Sequence, residues 1–387
     1  MDLLYKAFLA SMRGSSWKAE PQHFELDILN ELTKLSDELT GGTYETSQRR
    51  AFITRERGKT RYIHSSRIRD RVVRHALCDN VITPTFQKYL IHNNGASQKG
   101  KGLSFAREQF ERDLHNYWLE HRSNDGYIVI LDFKKFYDNM RHDLIKEIAD
   151  PKMDEFSAWL FNKIVDSFSV DVSYMTDQEY ARCMDDIFDS IAYHKLDPKR
   201  TGEKLMRKSV EIGDQVSQNI GIFFPIRVDN YAKIVRGLKY YGRYMDDIYF
   251  LCQTPEEAHD IIRGITKSAE EIGLHINDRK TVIAKLSQTF TYLQIRYTLL
   301  PSGKVMKRIN PKTVTRERRK LKAYKRLIGA GKISYEDVEN AYKSWLGNFY
   351  KIMSKRQRKN MRRLYKDLFG KEPEWKNSHS HLRTARH

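Results

Sequence analysis

The sequence predicts an α+β fold, and three features support that prediction. Residues 239–253 place the adjacent carboxylates Asp246 and Asp247 between two runs of aromatic and branched residues, which favour strands. Residues 127–131 are an apolar run that predicts a buried strand ending at Asp132. The last quarter of the chain has helical spacing and many basic residues. We therefore expect an antiparallel sheet with helices around it.

The carboxylates at the strand ends suggest chemistry. Adjacent aspartates in a turn repel one another unless a cation holds them, and hard oxygen ligands on a rigid hairpin suit Mg²⁺. The alternative is a solvated Asp-Asp turn. Asp132 also allows two interpretations, a catalytic carboxylate or the N-cap of a following helix. Tyr137, five residues later, can lie beneath a bound sugar.

The positive charge is concentrated at one end of the chain. The formal net charge is +19, and residues 301–387 carry 25 Lys+Arg against 7 Asp+Glu, which gives +18 there. This surplus predicts a polyanionic partner, most simply nucleic acid. An acidic membrane surface is the competing interpretation, but no lipid-facing stripe or membrane-spanning apolar run stands out. Basic helices at Arg318 and Lys322 suit a duplex backbone or a solvated face.

The cysteines and the first residues of the chain indicate the cellular compartment. Cys78, Cys183 and Cys252 are odd in number and show no paired spacing, which favours a reducing compartment. The first residues lack the basic and apolar segments of a signal peptide. We expect a cytoplasmic protein with no membrane partner.

The first third of the chain predicts helices and one finger-like hairpin. Residues 1–45 have apolar side chains at helical spacing, which predicts an N-terminal helical extension. Residues 50–63 alternate around a basic, glycine-containing tip and predict two strands. Lys59 and Arg61 beside this tip could hold a triphosphate, against the alternative of an ordinary charged turn. Residues 66–82 predict an amphipathic helix, and residues 95–102 a glycine-rich loop that lets backbone approach phosphates. Candidate phosphate contacts here are Arg67, Arg71, Lys99 and Lys101.

Residues 150–205, the acidic insertion, differ in character from their neighbours. Ten acidic and three basic residues lie between positions 150 and 191. The insertion contains Asp185 and Asp186 directly after a methionine, as in the hairpin, but no apolar strand precedes them. Helical spacing of the apolar residues puts both aspartates on an exposed face. We predict a helical insertion and no second acidic site.

The remaining stretches complete the predicted order of elements. Residues 210–224 predict a glycine turn, at Ile212 and Gly213, that can press its backbone against a base pair and enters an apolar helix disturbed by Pro225. Residues 255–273 predict an amphipathic helix. Residues 290–298 alternate like one further strand.

Taken in order, the segments from residue 52 to about residue 366 resemble a reverse transcriptase. The tetrapeptide from Tyr244 to Asp247 matches the family's most diagnostic motif. Asp132 resembles the first metal aspartate, and Tyr137 the aromatic gate that excludes a ribose 2′-hydroxyl. Lys280, within residues 274–281, resembles the lysine that donates a proton to pyrophosphate. Residues 290–294, including Tyr292, resemble the primer grip, with Gln294 where a glycine is usual.

The resemblance implies a right-hand polymerase architecture with an RNA template, a DNA product and deoxynucleoside triphosphates (dNTPs) as substrates. Its parts would be fingers at 46–125, a palm with an antiparallel sheet at 126–300, a basic helical thumb at 301–370 and a flexible tail at 371–387. Two Mg²⁺ ions, which Mn²⁺ can replace, would be held by Asp132, Asp246, Asp247 and the Phe133 carbonyl. Implied substrate contacts are Tyr137, Phe133, Lys59, Arg61, Ile212, Gly213 and Gln218, and implied nucleic-acid contacts are Arg67, Arg71, Lys99, Lys101, Tyr244, Tyr292, Arg318 and Lys322.

One segment indicates a branch of the family. Ile212 stands where most members have glutamine, and Gln218 where they have proline, which is the pattern of diversity-generating retroelements and their relatives. The resemblance then implies error-prone copying of a dedicated structured noncoding RNA, for diversification or for antiphage defence. An accessory protein or a second reverse transcriptase is a further candidate partner. Two alternatives stay open, untemplated or protein-primed synthesis on the same palm and a non-catalytic RNA-binding protein.

Overall fold

The computed structural model describes residues 1–56, 58–194 and 201–373. The chain forms two compact units, residues 1–117 with 126–284 and residues 118–125 with the chain from 285 onward. This boundary lies sixteen residues before the predicted end of a palm at 300. The predicted tail falls mostly outside the described residues.

The first unit contains most of the secondary structure. Its strands are β1 (Arg50–Glu56), β2 (Lys59–Ser65), β3 (Tyr127–Asp132), β4 (Val170–Asp171), β5 (Leu205–Met206), β6 (Tyr241–Tyr244), β7 (Asp247–Cys252) and β8 (Val282–Lys285), the last ending at the unit boundary. Its α-helices are α1 (Asp2–Met12), α2 (Ala19–Leu26), α3 (Ile28–Thr40), α4 (Ile68–Leu77), α5 (Thr83–Gln87), α6 (Leu103–His121, which runs into the second unit), α7 (His142–Ala149), α8 (Glu155–Ser167), α9 (Asp177–Asp185), α10 (Ser190–His194), α11 (Gln215–Phe223), α12 (Ile226–Asn230) and α13 (Pro255–Glu270).

The central sheet of the first unit has the strand order β6-β7-β3-β8. Strand β3 is antiparallel to β7, and β6 is antiparallel to β7. Residues 128–132 are all buried, because helices such as α13 cover the sheet. The central strand β3 is therefore buried along its length, up to and including Asp132.

The predicted helix at residues 66–82 is helical from Ile68 onward, but it changes from α to π hydrogen bonding at Cys78. Helix α4 begins at Ile68, and the chain continues as a π-helix, Cys78–Ile82, before α5. Likewise, α11 ends just before Pro225, and α12 and a second π-helix, Tyr231–Val235, follow it. Pro225 has no backbone N–H to donate to the preceding turn, which explains why α11 ends before it.

The acidic insertion is more than helical. Strands β4 and β5 pair antiparallel and close it, which corrects the prediction of a purely helical segment. Helix α9 begins with a capping box between Thr176 and Glu179. Asp185 and Asp186 are exposed at its end, as the apolar spacing predicted. The insertion has its own small core, formed by Val172, Met175, Cys183, Phe188 and Met206.

The second unit pairs a three-stranded sheet with helices. Its elements are β9 (Phe290–Tyr292), β10 (Ile295–Leu299), β11 (Val305–Ile309), α14 (Pro311–Gly329), α15 (Tyr335–Phe349) and α16 (Lys355–Phe369). The prediction of one strand at 290–298 was wrong, because Leu293 and Gln294, at φ 43° and 72°, form a two-residue turn between β9 and β10. Along the described residues, no helix is long and apolar enough to cross a membrane.

Candidate active site

The strand register brings the three predicted aspartates to one end of the sheet. Asp132, the last residue of β3, lies directly opposite Asp247, the first residue of β7. Tyr244 lies opposite Asp247 on the other side, so Met245 and Asp246 form the two-residue turn. Directly opposed residues of antiparallel strands project to the same face. Side chains 115 residues apart in sequence thus meet at one strand end.

A buried arginine supports this turn from behind. Arg243 is 1% exposed and binds both carboxylate oxygens of Asp229 at 2.7–3.1 Å. It also donates to the carbonyls of Met245 at 3.2 Å and Ile222 at 2.7 Å. Met245 has φ 55°, a left-handed conformation that is costly for a residue with a side chain. Arg243 therefore helps to hold a strained turn.

Burial and mutual repulsion raise pKa values within the carboxylate cluster. Burial and then the charge of Asp132 raise the pKa of Asp246. Burial, followed by the charges of Asp246 and Asp132, raises the pKa of Asp247 to about 7, while Lys280 and Lys59 act in the opposite direction. The cluster therefore binds protons unusually well, and a bound cation would compete with them.

Lys280 reaches this cluster through an extra antiparallel bridge. Phe133 pairs with Ile276, and the Asn277 N–H donates to the Asp132 carbonyl at 2.7 Å. The Lys280 ammonium binds the Asp132 carboxylate, and the Asn277 side chain lies 3.4 Å from the same oxygen. The predicted proton donor thus forms an ion pair with the predicted metal aspartate.

A cavity of about 1320 Å³ opens beside the turn. It is larger than the roughly 300–1,000 Å³ of most small-molecule sites, which leaves room for a nucleotide with a paired base. The predicted site residues that line it are Lys59, Arg61, Phe133, Tyr137, Ile212, Asp246 and Lys280. Gln218 is exposed on α11 and is not among the lining residues.

Tyr137 lies between the turn and α11. Its hydroxyl is 3.9 Å from the Met245 sulfur, and a Cβ added to Gly221 would be 3.2 Å from that hydroxyl. Burial and the charge of Asp246 raise the pKa of Tyr137 to about 12, so the ring stays neutral. Because glycine has no side chain, Gly221 leaves space for the Tyr137 hydroxyl.

The glycine turn is locked to helix α4. Gly213 has φ 106°, which favours glycine, and its neighbour Asp214 caps α11 by accepting from Val216 N at 2.8 Å. Asp214 also binds the buried Arg74. Arg74 lies on α4, and its partner is a carboxylate of this turn.

The donor set suits a divalent cation only after a rearrangement. Within residues 1–56, 58–194 and 201–373, no three His, Cys, Asp or Glu side chains already converge as a metal site. Lys280 supplies the positive charge at Asp132 instead. Three acidic groups whose oxygens repel one another are hard ligands that Mg²⁺ prefers. The residues fit the ion if the lysine moves off Asp132.

The predicted phosphate contacts of the first unit divide into two groups. Lys99 is exposed, and Tyr244 is half-buried beside the acidic turn. Arg71 instead binds the Ser11 carbonyl and the Ser15 hydroxyl, and Lys101 donates to the carbonyls of His92 and Asn94 at 2.9 and 3.3 Å. Arg67 lies 3.8 Å from Glu20. Arg71 and Lys101 thus already use their charge within the protein.

The predicted nucleic-acid contacts of the second unit differ in their exposure. Arg318 and Lys322 are exposed on α14, where a polyanion can reach them. Tyr292 is 3% exposed, so the prediction that it contacts nucleic acid disagrees with its burial. The hairpin turn at Leu293 and Gln294 is the part of this segment that protrudes beyond the strands.

The fold and site define a polymerase palm, in which acidic residues from two neighbouring strands meet beside a nucleotide-sized cavity. A comparison with protein families matches residues 53–297 to the reverse transcriptase (RNA-dependent DNA polymerase) family. The match spans more than half of the chain, and the chain belongs to this family. A comparison with curated proteins finds no match. Family membership brings an RNA template and dNTPs as substrates.

Proposed function

We propose that this protein is an RNA-directed DNA polymerase that works by two-metal nucleotidyl transfer. The observation that carries the proposal is the register that sets Asp132 opposite Asp247, with Asp246 in the adjoining turn. The raised pKa values of Asp246 and Asp247 support it, because burial and then mutual repulsion disfavour negative charges that a bound cation would stabilise.

Each residue then has a defined role. Asp132 and Asp246 would hold both Mg²⁺ ions, the Phe133 carbonyl would add a ligand, and Asp247 would orient the cluster. When bound, the ions stabilise the charge on the attacking 3′-oxygen and on the departing phosphate. Lys59 and Arg61 would neutralise the triphosphate from the finger.

Two further residues would act on substrate choice and on proton transfer. Tyr137 would exclude a ribose 2′-hydroxyl by its position at the cavity wall. Lys280, released from Asp132 when the cations bind, would lie within reach of the pyrophosphate as a proton donor. In this proposal Lys280 neutralises the Asp132 carboxylate until the cations bind and take its place.

Primer extension on an RNA template tests the proposal. With dNTPs and Mg²⁺, the full-length chain should extend a DNA primer, and Asp246→Asn should reduce the rate at least about 1,000-fold. The matched control Asp185→Asn should keep the wild-type rate. RNA binding, measured by filter retention, should survive in both variants. Extension by Asp246→Asn at the wild-type rate would contradict the metal assignment.

The same assay separates the rival functions. Product that forms without template, or stays attached to the protein, would indicate untemplated or protein-primed synthesis. Tight RNA binding without any Mg²⁺-dependent product would indicate a non-catalytic RNA-binding protein.

We also propose that copying is of low fidelity, because Ile212 lines the cavity and cannot donate a hydrogen bond to the nascent base pair. Losing one such contact costs about 1–3 kcal/mol of discrimination, or roughly ten- to a hundredfold in selectivity. Ile212→Gln should therefore lower misincorporation, as measured by sequencing the product. An unchanged error spectrum would count against this role.

We propose that the polymerase works in a diversity-generating or antiphage defence element, because Ile212 and Gln218 match the pattern of that branch of the family. Sequencing the nucleic acid that copurifies with the protein tests it. A template paired with a variable repeat supports diversification, and a structured noncoding RNA without repeats supports defence. Recovery of unrelated cellular RNA alone would contradict both roles.

A further inference from the structure

The acidic insertion is anchored to the short helix that carries Tyr137. This 3₁₀-helix, Phe136–Asn139, follows β3 directly. Asn139 is fully buried, and its side chain pairs in both directions with the backbone of Phe188. The Phe188 N–H donates to Asn139 Oδ1 at 2.9 Å, and Asn139 Nδ2 donates to the Phe188 carbonyl at 3.2 Å. Such two-way pairing fixes both the distance and the orientation of the two segments.

The next two insertion residues contact the same helix. The Ser190 hydroxyl donates to Asp138 Oδ1 at 2.7 Å, and Asp189 forms an ion pair with Lys135 at 2.8 Å. Burial raises the pKa of Asp138 to about 6, against the hydrogen bond from Ser190. Three consecutive residues, Phe188–Ser190, thus hold three of the five residues from Lys135 to Asn139. We call this set of contacts the clamp.

The chain that leaves the insertion also contacts the segment that carries Tyr137. The Val210 N–H donates to the Tyr137 carbonyl at 2.9 Å, and the His142 ring nitrogen lies 2.7 Å from the Ser209 carbonyl. The buried Lys208 donates to the carbonyls of Cys183 and Met184 at 3.1 and 3.0 Å. These carbonyls lie in the last turn of α9, where no helical N–H follows to bond them. Lys208 therefore ties the end of α9 to the chain that leaves the insertion.

Tyr137 is consequently placed by the insertion as well as by the palm. Phe188 is a member of the insertion's small core, so a shift of that core would move the clamp. Ile187, Asp189, Ser190 and Ile191 line the same cavity as Tyr137. The tyrosine hydroxyl lies beside Gly221 in α11. The insertion therefore holds the backbone that carries Tyr137, while the ring itself lies against Met245 and beside Gly221.

We propose that the acidic insertion is a positioning element that sets the ribose selectivity of the polymerase by holding the Tyr137 helix through Asn139 and Ser190. The inference rests on the proposed function, since it needs Tyr137 to face the sugar of the incoming nucleotide. It assigns the insertion a role in the reaction, whereas a surface appendage would leave selectivity untouched.

Single-nucleotide incorporation by the full-length chain tests the proposal. For each variant, kcat/KM is measured with a dNTP and with the matching ribonucleotide, and their ratio is compared with wild type. Asn139→Ala removes both bonds to Phe188 and should lower the ratio about tenfold, because small displacements of positioning groups have large kinetic effects. Ser190→Ala removes one bond and should lower it about threefold. The exposed control Asp185→Asn should leave the ratio unchanged.

Ratios equal to wild type in both clamp variants would overturn the proposal. Equal losses of kcat with dNTP and ribonucleotide, at a constant ratio, would also overturn it, since they indicate a purely structural role. Circular dichroism checks folding, and Ser190→Ala decides the question where Asn139→Ala does not fold. A wild-type chain that incorporates no nucleotide contradicts the proposed function itself, an outcome distinct from active variants with unchanged selectivity.

Discussion

The chain contains the tripeptide Met-Asp-Asp twice, at residues 184–186 and at residues 245–247, and the two copies have different structures. The first copy spans the end of α9, with both aspartates exposed. The second spans a hairpin turn whose methionine is left-handed and whose aspartates are partly buried beside Asp132. An identical tripeptide thus serves a helix end in one place and the candidate metal site in the other.

The neighbours of each copy explain the difference. At the first copy, Cys183 of α9 and Phe188 after the helix end are buried in the insertion's small core, and the aspartates between them stay exposed. Strand-forming residues flank the second, and the buried pair of Arg243 and Asp229 lies behind its turn. The comparison teaches that an acidic motif gains function from the strands that precede and follow it.

The largest expected difference concerns activity. Asp246→Ala combined with Asp247→Ala should abolish primer extension, with a loss of at least about 1,000-fold, because both remove ligand oxygens. Asp185→Ala combined with Asp186→Ala should stay within twofold of wild type, since surface substitutions rarely matter. Similar losses in the two double variants would break the comparison.

Stability should show the next difference. Arg243→Met leaves Asp229 as a buried, unpaired charge and should lower the free energy of unfolding by about 3–5 kcal/mol. Arg182→Met, at an exposed position of α9, should change it by less than about 0.5 kcal/mol. Denaturant titration measures both. A loss below about 1 kcal/mol for Arg243→Met would mean that the turn does not depend on this arginine.

The pH dependence of stability should sharpen the contrast. Without divalent cations, the raised pKa of Asp247, about 7, means that the folded protein binds this proton more tightly than the unfolded chain. Its stabilising contribution is complete below the usual aspartate range, near pH 4, and is lost as the pH rises through about 7.

Titration of Asp247 should therefore cost the wild-type protein on the order of 2 kcal/mol of unfolding free energy between pH 5 and pH 7.5. Asp247→Asn has no carboxyl to titrate and should not show this loss. Unfolding titrations in a chelating buffer measure this loss. Asp186→Asn is the matched control and should retain the wild-type dependence. A wild-type dependence in Asp247→Asn would show that its carboxyl does not titrate in this range.

The smallest effect should have opposite signs at the two methionines. Relative to alanine, glycine at position 245 should stabilise the protein by about 1 kcal/mol, because φ is 55° there. Glycine at position 184, inside α9, should destabilise it by about 0.5–1 kcal/mol relative to alanine. Unfolding of Met245→Ala, Met245→Gly, Met184→Ala and Met184→Gly measures both differences. Equal signs would contradict the assigned turn.

Elements with a strong local pattern could be predicted from the sequence. The hairpin around Asp246, the buried strand before Asp132, the finger and the exposed aspartates of α9 all follow from residue periodicity. The short pair β4 and β5 could not be predicted, because a two-residue strand shows no periodicity. The turn at Leu293 and Gln294 was missed because neither residue is typical of a left-handed position.

The ion pairs that complete the site could not be predicted from the sequence for a different reason. The partners Arg243–Asp229, Arg74–Asp214 and Lys280–Asp132 are 14, 140 and 148 residues apart. Local pattern does not identify such pairs, because only the fold brings them together. An arginine in the middle of an otherwise aromatic strand was the one available signal for Arg243.

Metal-directed cleavage of the protein tests the central claim most directly. Fe²⁺, substituted for Mg²⁺ and activated with ascorbate and peroxide, cuts backbone close to where it is bound. We predict cuts at residues 132–133 and 244–247, suppressed by Asp246→Asn and by excess Mg²⁺, and none at residues 184–186. Cuts confined to residues 184–186, or cuts that Asp246→Asn leaves unchanged, would contradict the assignment of the metal site.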